Sequence, residues 1–249
     1  MMAHKTAIIS QNVEIGENVE IGPYSIIHEG VVLGDNVVIG AYCEVGVPTP
    51  LSKSKKLKIG NSSFIRSHSV LYIGSEIGSN FVTGHHICVR ENSVIGKGVQ
   101  IGSRGDIQGD CEIGDYVKMH ADVHIGKMSK IGSFVWMFPE VLLTNDPIPP
   151  SELLKGVVVE DFSVLAAKVT VLPGIHIGKD AFISVGSIVK NDVPSGKLVD
   201  GYPAKVICDV NIIRMPDNPK IKAYPWRKRF ARGYPENIVS KWVEEFDLK

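Results

Sequence analysis

The chain has 249 residues, of which 44% are hydrophobic and 7% aromatic, and its 27 lysines and arginines balance 27 aspartates and glutamates. A net charge of zero argues against a nucleic-acid-binding protein. The sequence has no leader-like segment and no long unbroken apolar run, so we expect a cytoplasmic protein that does not span a membrane.

An apolar residue recurs at every sixth position along most of the chain. From Ile59 to Leu143 fourteen of fifteen such positions are apolar, with Thr83 as the exception, and glycine often follows, as in Ile95-Gly96. The same register runs from residue 9 to 45 and from 159 to 189. A period of six fits neither an α-helix nor one strand, so it predicts short strands with a corner in each repeat. Three repeats make a triangular turn of eighteen residues, and stacked turns pair as parallel strands about 4.8 Å apart.

Two segments interrupt this repeat and shift its phase. Residues 46–58 contain two prolines and four lysines, and residues 144–158 contain Asn145, Asp146 and three prolines. We expect each segment to form a loop that leaves a regular coil. The sequence therefore predicts a repeat domain over residues 1–205, which carries both loops, and a basic extension over residues 206–249.

The extension contains one candidate helix, from Pro235 to Phe246. Its apolar residues fall on one helical face, and the proline stands near the start, where its missing N–H is harmless. We expect this tail to pack on the repeat domain or on a neighbouring chain. The basic residues between Lys220 and Arg232 either hold phosphate groups or form a solvated face.

The cysteines lack the paired spacing of a zinc or disulfide site, so we interpret them as free thiols with structural roles. They are Cys43, Cys88, Cys111 and Cys208.

Three features together resemble a known family. They are the tandem hexapeptides, the loop Thr144-Asn145-Asp146-Pro147, and the ending from Val193-Pro194-Ser195-Gly196 to Gly201-Tyr202-Pro203-Ala204-Lys205. Over roughly residues 7–207 the chain is similar to the hexapeptide-repeat acyltransferases. Within that superfamily, the segment from Thr83 to Asn92 and the later Phe138-Pro139-Glu140-Val141 are most similar to enzymes that acetylate amino groups on nucleotide-linked sugars.

The resemblance implies an all-β fold, a left-handed parallel β-helix of hexapeptide repeats with a short C-terminal helical tail. It also implies a homotrimer with active sites between subunits, acetyl-coenzyme A (acetyl-CoA) as cosubstrate, and no required metal. The coenzyme would follow the last coils and end near the closing hairpin, at Ala166, Ala167, Gly186, Ser187, Pro203, Ala204 and Lys205. Alanine and glycine at these positions are equally what a tight coil requires.

Acyl transfer to an amine needs an unprotonated amine, aligned reactants and donors for the developing oxyanion. The candidate base is His120, in the segment His120-Ala121-Asp122-Val123-His124, with Asp122 as the carboxylate that orients it. In the related enzymes an acidic residue directly follows the histidine, whereas an alanine intervenes here. The alternative is that the departing thiolate accepts the proton without a protein base.

Asn145 and Asp146 occupy the place where relatives that acetylate hydroxyl groups carry a histidine. Because a hydroxyl acceptor needs a strong base more than an amine does, the absence of that histidine favours transfer to nitrogen. Asn145 or Asp146 would then bind the sugar amine or hydroxyls. The other interpretation is a loop that caps itself through Asx turns before Pro147.

Candidate substrate-binding residues lie toward the N-terminus from this point, where a nucleotide sugar would extend. They are His85, Arg90, Glu91, Arg104 and Lys127. The Arg90 guanidinium matches a diphosphate in bidentate geometry, with Arg104 and Lys127 in support. For each of them a plain surface charge is the competing interpretation. The lysine-rich segment 53–58 would either cover the nucleotide or contact another subunit.

The sequence therefore predicts an acetyl-CoA-dependent N-acetyltransferase that acts on a dTDP- or UDP-linked amino sugar in surface polysaccharide or lipopolysaccharide synthesis. The alternative is a sugar O-acetyltransferase, or an acyl-carrier-protein-dependent sugar-nucleotide O-acyltransferase of the lipid A type. The first repeats of the chain also resemble enzymes of the lipid A type. Two further alternatives are a non-catalytic trimeric scaffold and a γ-type carbonic anhydrase with His85, His120 and His124 around zinc. The spacing from His85 to His120 falls one residue short of two eighteen-residue turns.

Overall fold

The computed structural model describes residues 1–246, so the last three residues of the predicted extension lie outside the described residues. The strands before the first insert are β1 (Met2–Ala3), β2 (Ile8–Ile9), β3 (Glu14–Ile15), β4 (Glu20–Ile21), β5 (Ile26–Ile27), β6 (Val31–Leu33), β7 (Val38–Ile39) and β8 (Glu44–Val47). Between the inserts are β9 (Leu57–Ile59), β10 (Phe64–Ile65), β11 (Val70–Tyr72), β12 (Glu76–Ile77), β13 (Val82–Thr83), β14 (Cys88–Val89), β15 (Val94–Ile95), β16 (Gln100–Ile101), β17 (Asp106–Ile107), β18 (Glu112–Ile113), β19 (Lys118–Met119), β20 (His124–Ile125), β21 (Lys130–Ile131), β22 (Trp136–Met137) and β23 (Leu142–Leu143). After the second insert come β24 (Val158–Val159), β25 (Val164–Leu165), β26 (Thr170–Val171), β27 (His176–Ile177), β28 (Phe182–Ile183), β29 (Ile188–Val189), β30 (Lys197–Gly201) and β31 (Ala204–Asp209). Two 3-10 helices, Val210–Ile212 and Trp226–Lys228, and the helix α1 (Glu236–Glu245) complete the described chain.

Every third strand joins the same sheet, so the chain winds as a parallel β-helix with three faces. Face A runs from β1 to β28 and ends with β30 and β31, face B runs from β2 to β29, and face C runs from β3 to β27. Strands eighteen residues apart pair in register, as Ile77 does with Ile95. The predicted eighteen-residue turn is therefore confirmed.

The hexapeptide positions fill the interior of this coil. All fifteen positions from Ile59 to Leu143 are at most 4% exposed. Thr83 is buried with them, and its Oγ1 accepts a hydrogen bond of 2.9 Å from the Arg66 N–H, which satisfies its polar atom. The predicted apolar centre is confirmed.

The glycines that follow the apolar positions serve close approach between coils. A Cβ at Gly96 would lie 2.7 Å from the carbonyl carbon of Gly114 in the next turn, so a side chain there would force the coils apart. Many corners themselves use larger residues with positive φ, such as His86 at 57° and Asn92 at 59°. The turn in each repeat therefore does not depend on glycine.

Both inserts leave the coil at the corner between faces B and C. The first connects β8 to β9 and the second connects β23 to β24, so strand residues occupy both ends of the first predicted loop and the last position of the second. The first insert folds back along this corner, where the Lys53 N–H donates to Asn92 Oδ1 at 2.8 Å and Lys53 Nζ lies 2.6 Å from Asp110.

The C-terminal extension packs on face A of its own chain. Strands β30 and β31 pair antiparallel, so the predicted boundary at residue 205 falls inside β31. Beyond this hairpin, Trp226, Tyr234 and Trp242 form a second apolar cluster with aromatic residues of face A and its corner. The predicted helix is confirmed at Glu236–Glu245. In residues 1–246 no helix has the length and apolarity needed to cross a membrane.

A buried arginine ties the extension to the coil. The guanidinium of Arg227, with 4% of the residue exposed, pairs with Asp180 from the coil and lies 2.8 Å from Glu245 of α1. It also lies 4.0 Å from the centroid of the Phe162 ring. A buried cation must be paired in this way, so the contact fixes where the extension docks.

Within the described residues all four cysteines are free thiols. Burial raises the pKa of Cys88 and of Cys111 to about 11, which leaves both as unreactive thiols at neutral pH. The prediction of free thiols is confirmed.

Candidate functional site

Face B carries a histidine and an aspartate in contact. His124 and Asp106 each stand one residue before a buried isoleucine, so their side chains point outward. The two residues are paired in register between β17 and β20. His124 Nδ1 lies 2.9 Å from Asp106 Oδ2, and the side chains are 37% and 28% exposed, respectively.

This contact defines the tautomer of the neutral imidazole. A carboxylate only accepts hydrogen bonds, so in the neutral ring Nδ1 of His124 carries the proton and Nε2 presents its lone pair. Gln108 Nε2 donates to the same Asp106 oxygen at 2.6 Å. Burial alone would raise the pKa of Asp106, but hydrogen bonds from His124 and Gln108 outweigh it and lower that pKa. Such an arrangement on an open face can act as an oriented general base.

An arginine is fixed one coil toward the N-terminus from this pair. Nε and Nη2 of Arg90 lie 3.0 and 3.2 Å from the two carboxylate oxygens of Glu91. Glu91 is 1% exposed, so its charge requires this partner. The guanidinium also lies 4.9 Å from the centroid of the Tyr72 ring, which leaves it little freedom.

The corner between faces B and C adds further charges beside the pair. Lys127 Nζ lies 3.1 Å from Asp110, which also binds Lys53 of the first insert. Burial raises the pKa of Asp110, but the hydrogen bonds from the two lysines outweigh it and lower that pKa. Asn145 follows on the next coil, with its Cβ 3.2 Å from where a Cβ of Gly126 would lie.

The corner between faces A and B carries the remaining predicted substrate residues. Arg104 donates to both oxygens of Asp122 at 2.6 Å. His85 Nδ1 lies 2.7 Å from Ser67 Oγ. His85 and Arg104 therefore lie along one edge of face B, and Arg90, Glu91 and Lys127 lie along the other.

The structure does not bring His120 and Asp122 together, so their predicted contact is corrected. The corner at Ala121–Val123 places His120 on face A and His124 on face B. The carboxylate of Asp122 is taken by Arg104, and the His120 ring stacks on Phe138 with centroids 4.8 Å apart. Burial lowers the pKa of His120.

The second insert caps itself through Asp146. Its carboxylate accepts hydrogen bonds from the Ile148 N–H at 3.0 Å and from the N–H and hydroxyl of Ser151 at 2.8 and 2.6 Å. These bonds lower the pKa of Asp146. The interpretation of a self-capping loop thus describes Asp146, whereas Asn145 lies against Gly126 of the preceding coil.

The residues predicted for the coenzyme gather at the C-terminal end of the corner between faces A and B. The Gly186 N–H donates to the carbonyl of Ala167, the neighbour of Ala166 on the preceding coil, at 2.9 Å. The Gly201 N–H donates to Ser187 Oγ at 3.1 Å. Pro203 forms the tip of the hairpin whose strands place Ala204 opposite Gly201 and Lys205 opposite Asp200. A Cβ at Gly186 would meet nothing within 4 Å, so this corner is open.

The three histidines considered for zinc have separate environments: His85 with Ser67, His120 with Phe138, and His124 with Asp106. Across residues 1–246 no group of three or more histidine, cysteine, aspartate or glutamate side chains is arranged to hold a metal ion.

Sequence reasoning missed Asp106, Gln108 and Tyr72. The signal was present, because Asp106 and His124 are eighteen positions apart and both directly precede an apolar position of the repeat. In a coil of eighteen residues per turn, that spacing stacks two outward side chains.

Comparison with known proteins agrees with this architecture. Residues 12–46 match the family model for bacterial transferase hexapeptide (six repeats). The chain is 34% identical over 201 residues to an acyl-[acyl-carrier-protein]--UDP-N-acetylglucosamine O-acyltransferase of Pseudomonas savastanoi pv. phaseolicola, across 80% of this chain and 70% of that protein. It is 44% identical over 59 residues, 24% of each chain, to a 2,3,4,5-tetrahydropyridine-2,6-dicarboxylate N-acetyltransferase of Staphylococcus aureus.

Among solved structures, the Arabidopsis UDP-N-acetylglucosamine acyltransferase superposes with a TM-score of 0.64 over 100% of this chain and 90% of that chain, at 23% identity. This likeness shows the same fold. Together with the long match to the Pseudomonas enzyme, it establishes that the chain belongs to the hexapeptide-repeat acyltransferases.

Proposed function

We propose that this acyltransferase moves an acyl group from a thioester to a hydroxyl group of a nucleotide-linked sugar, with His124 as the general base. The observation that carries the proposal is the 2.9 Å contact between His124 and Asp106 on face B. A hydroxyl acceptor depends on such a base more than an amine does. The Pseudomonas relative, named for O-acylation of UDP-N-acetylglucosamine from acyl carrier protein, supports the acceptor and donor classes.

The proposed chemistry follows from the hydrogen bonds around His124. Nε2 removes the proton of the sugar hydroxyl as that oxygen attacks the thioester carbonyl, and the imidazolium then returns the proton to the departing thiolate. Asp106 fixes the tautomer and stabilises the transient positive charge, and Gln108 holds Asp106 in place.

We propose that the charged edge of face B binds the nucleotide diphosphate. Arg90 is already oriented by Glu91. Lys127 lies on the same edge of face B, three residues after His124 on the same coil. Arg104 and His85 would contact the sugar from the opposite edge. The open corner at Gly186 remains our proposed site for the thioester arm, and the family supports a homotrimer with clefts between subunits.

A second candidate is transfer of acetyl from acetyl-CoA to an amino sugar. The 44% identity to an N-acetyltransferase over 59 residues favours it. The second insert also lacks a histidine, which relatives that acetylate hydroxyl groups carry there. In this reaction the thiolate would accept the proton and His124 would be dispensable.

The test is release of free thiol from acyl-acyl-carrier protein and from acetyl-CoA, each with UDP-N-acetylglucosamine and with 3-amino and 4-amino nucleotide sugars. We expect turnover with the hydroxyl acceptor. His124→Asn should lower kcat by about 10²- to 10⁴-fold, the usual contribution of a positioned base. Asp106→Asn should lower kcat by roughly 10²-fold and leave KM little changed, because it disturbs the tautomer without removing a substrate contact.

His176→Asn is the matched control, because His176 Nε2 lies 2.8 Å from Glu160 on face C, so it alters a histidine-carboxylate contact away from His124. Its kcat should stay within about threefold of the wild-type value. Turnover only with amino sugars, unaffected by His124→Asn, would overturn the proposal in favour of the second candidate. Sedimentation of the purified protein tests the trimer.

A further inference from the structure

A pocket of about 330 Å³ lies between face A and the C-terminal extension, around the corner from His124. Face A contributes His120, Trp136 and Phe138, and the extension contributes Trp226, Phe230 and Arg232. The volume falls within the range of small-molecule sites. The proposed acyl-transfer chemistry uses none of these residues.

The aromatic walls of this pocket are held in fixed orientations. Trp136 Nε1 donates to the Tyr234 hydroxyl at 2.9 Å, and Trp226 Nε1 donates to the Phe162 carbonyl at 3.1 Å. Trp136 meets Phe230 edge-on at 5.7 Å between centroids. Because the indole N–H groups are satisfied by the protein, the ring faces are preformed surfaces on which a flat group can stack.

Arg232 lines the pocket, and a second cation, Lys118, lies beside its Trp136 wall. Lys118 Nζ lies 4.9 Å from the Trp136 centroid and 4.5 Å from the Tyr234 centroid, and it would lie 3.1 Å from a Cβ of Gly233, the neighbour of Arg232. Burial, and then repulsion from Arg232, lower the pKa of Lys118. In the described part of the chain, no aspartate or glutamate lines the pocket. Two like charges beside apolar rings are unfavourable, and a bound anion relieves them.

We propose that this pocket binds a nucleoside phosphate, with the base stacked between the aromatic rings and the phosphate on Arg232 and Lys118. Stacking of a base on aromatic side chains and charge-assisted bonds to phosphate are the two interactions that the pocket offers. The inference rests on the proposed function for the source of the nucleotide. That source is either the adenosine phosphate of coenzyme A or the nucleotide-linked sugar, whose diphosphate would then lie here and not on the charged edge of face B.

The test is quenching of tryptophan fluorescence in the full-length protein, because two tryptophans line the pocket. The probes are UDP, 3′,5′-ADP, the uncharged nucleosides uridine and adenosine, and inorganic phosphate. We expect saturable quenching by a nucleotide, with the nucleoside and phosphate at least tenfold weaker. Arg232→Gln should weaken nucleotide binding about tenfold, and Phe138→Leu should weaken nucleotide and nucleoside alike by 10-fold or more.

Arg214→Gln is the matched control, since Arg214 is an exposed arginine of the same extension that lies outside the pocket. Its side chain donates a hydrogen bond to the Asn211 carbonyl. It should bind as the wild type does. Arg232 is exposed, so Arg232→Gln should fold normally, which circular dichroism checks. Preference for 3′,5′-ADP assigns the pocket to coenzyme A, and preference for UDP assigns it to the sugar nucleotide in place of the charged edge of face B; either supports the inference. Absence of saturable quenching, or wild-type binding in both pocket variants, overturns it.

The binding assay contains neither thioester nor acceptor, so its outcome is separate from turnover. His124→Asn should bind nucleotide normally. Turnover without nucleotide quenching would remove the pocket inference alone, whereas nucleotide quenching without turnover would remove the proposed function and leave the pocket.

Discussion

Faces A and B are built from the same coils, yet they present opposite surfaces. Their inward positions are alike, as with Met119 and Ile125, which are 4% and 0% exposed. Outward, face A presents Trp136 to an aromatic cover formed by the extension, whereas face B presents His124 and Asp106 to solvent. The repeat therefore fixes only the inward residues, and the outward residues are free to make either a docking surface or a reactive one.

The two histidines that flank the corner between faces A and B have different environments. His120 and His124 are four residues apart, but one stacks on Phe138 and the other contacts a carboxylate. A corner turns the chain onto a new face within about six residues, so proximity in sequence does not imply a shared site. Residues eighteen positions apart are the true neighbours.

The largest expected effect comes from loosening the packing of the C-terminal extension on face A. Trp242 is 5% exposed, and its ring lies 5.3 Å from Phe134 and 5.0 Å from Tyr234. Trp242→Ala should reduce the free energy that docks the extension by about 3–5 kcal/mol. In urea, the fluorescence of the remaining tryptophans should change well before the β-sheet circular dichroism does. Ile212→Ala, at an exposed site of the extension, should stay within about 0.5 kcal/mol of wild type. Simultaneous loss of both signals in Trp242→Ala would mean that the coil depends on its cover.

A smaller effect distinguishes a covered aromatic corner from an open one. Phe134 and Tyr42 both occupy corner positions, with φ of 61° and 56°, and both stack on rings of neighbouring coils. Phe134 lies beneath Trp242, whereas Tyr42 is 53% exposed. Phe134→Leu should lower the free energy of unfolding by about 1–3 kcal/mol, because its ring also packs against Trp242 and Tyr234 of the covering extension. Tyr42→Leu should lower it by less than about 0.5 kcal/mol. Equal losses in thermal unfolding would show that burial does not separate the two corners.

The smallest effect is a pH dependence on face B. The pKa of Asp106 is lowered in the folded protein, so its contribution to stability is present above its unfolded pKa of about 3.9 and is lost as the pH falls through the folded value. The wild type should therefore exceed Asp106→Asn in stability by up to roughly 1 kcal/mol at pH 7, and the difference should shrink progressively as the pH falls below about 3.9. Urea unfolding at pH 7 and at a series of lower pH values measures it, with Asp217→Asn as an exposed control. A difference independent of pH would show that the carboxylate charge is not what stabilises the contact.

The site was predictable only in part. His85, Arg90, Glu91, Arg104 and Lys127 were selected from residue type and coil position, and they lie along the two edges of face B. The contact of His120 with Asp122 was wrong, because Asp122 prefers the arginine stacked eighteen positions away. Asp106 lies outside the segment from His120 to His124, so that segment alone does not predict its contact with His124.

The sequence by itself determined the coil, its eighteen-residue turn, its buried positions and the terminal helix, because a strict six-residue apolar period leaves one way to bury those side chains. Only the tertiary structure decided which histidine meets a carboxylate and that the extension covers face A. Those outcomes depend on contacts between turns, and between Arg227, Asp180 and Glu245, that are distant along the chain. The eighteen-residue spacing in the sequence identifies possible neighbours, but side-chain geometry between coils decides which of them form a contact.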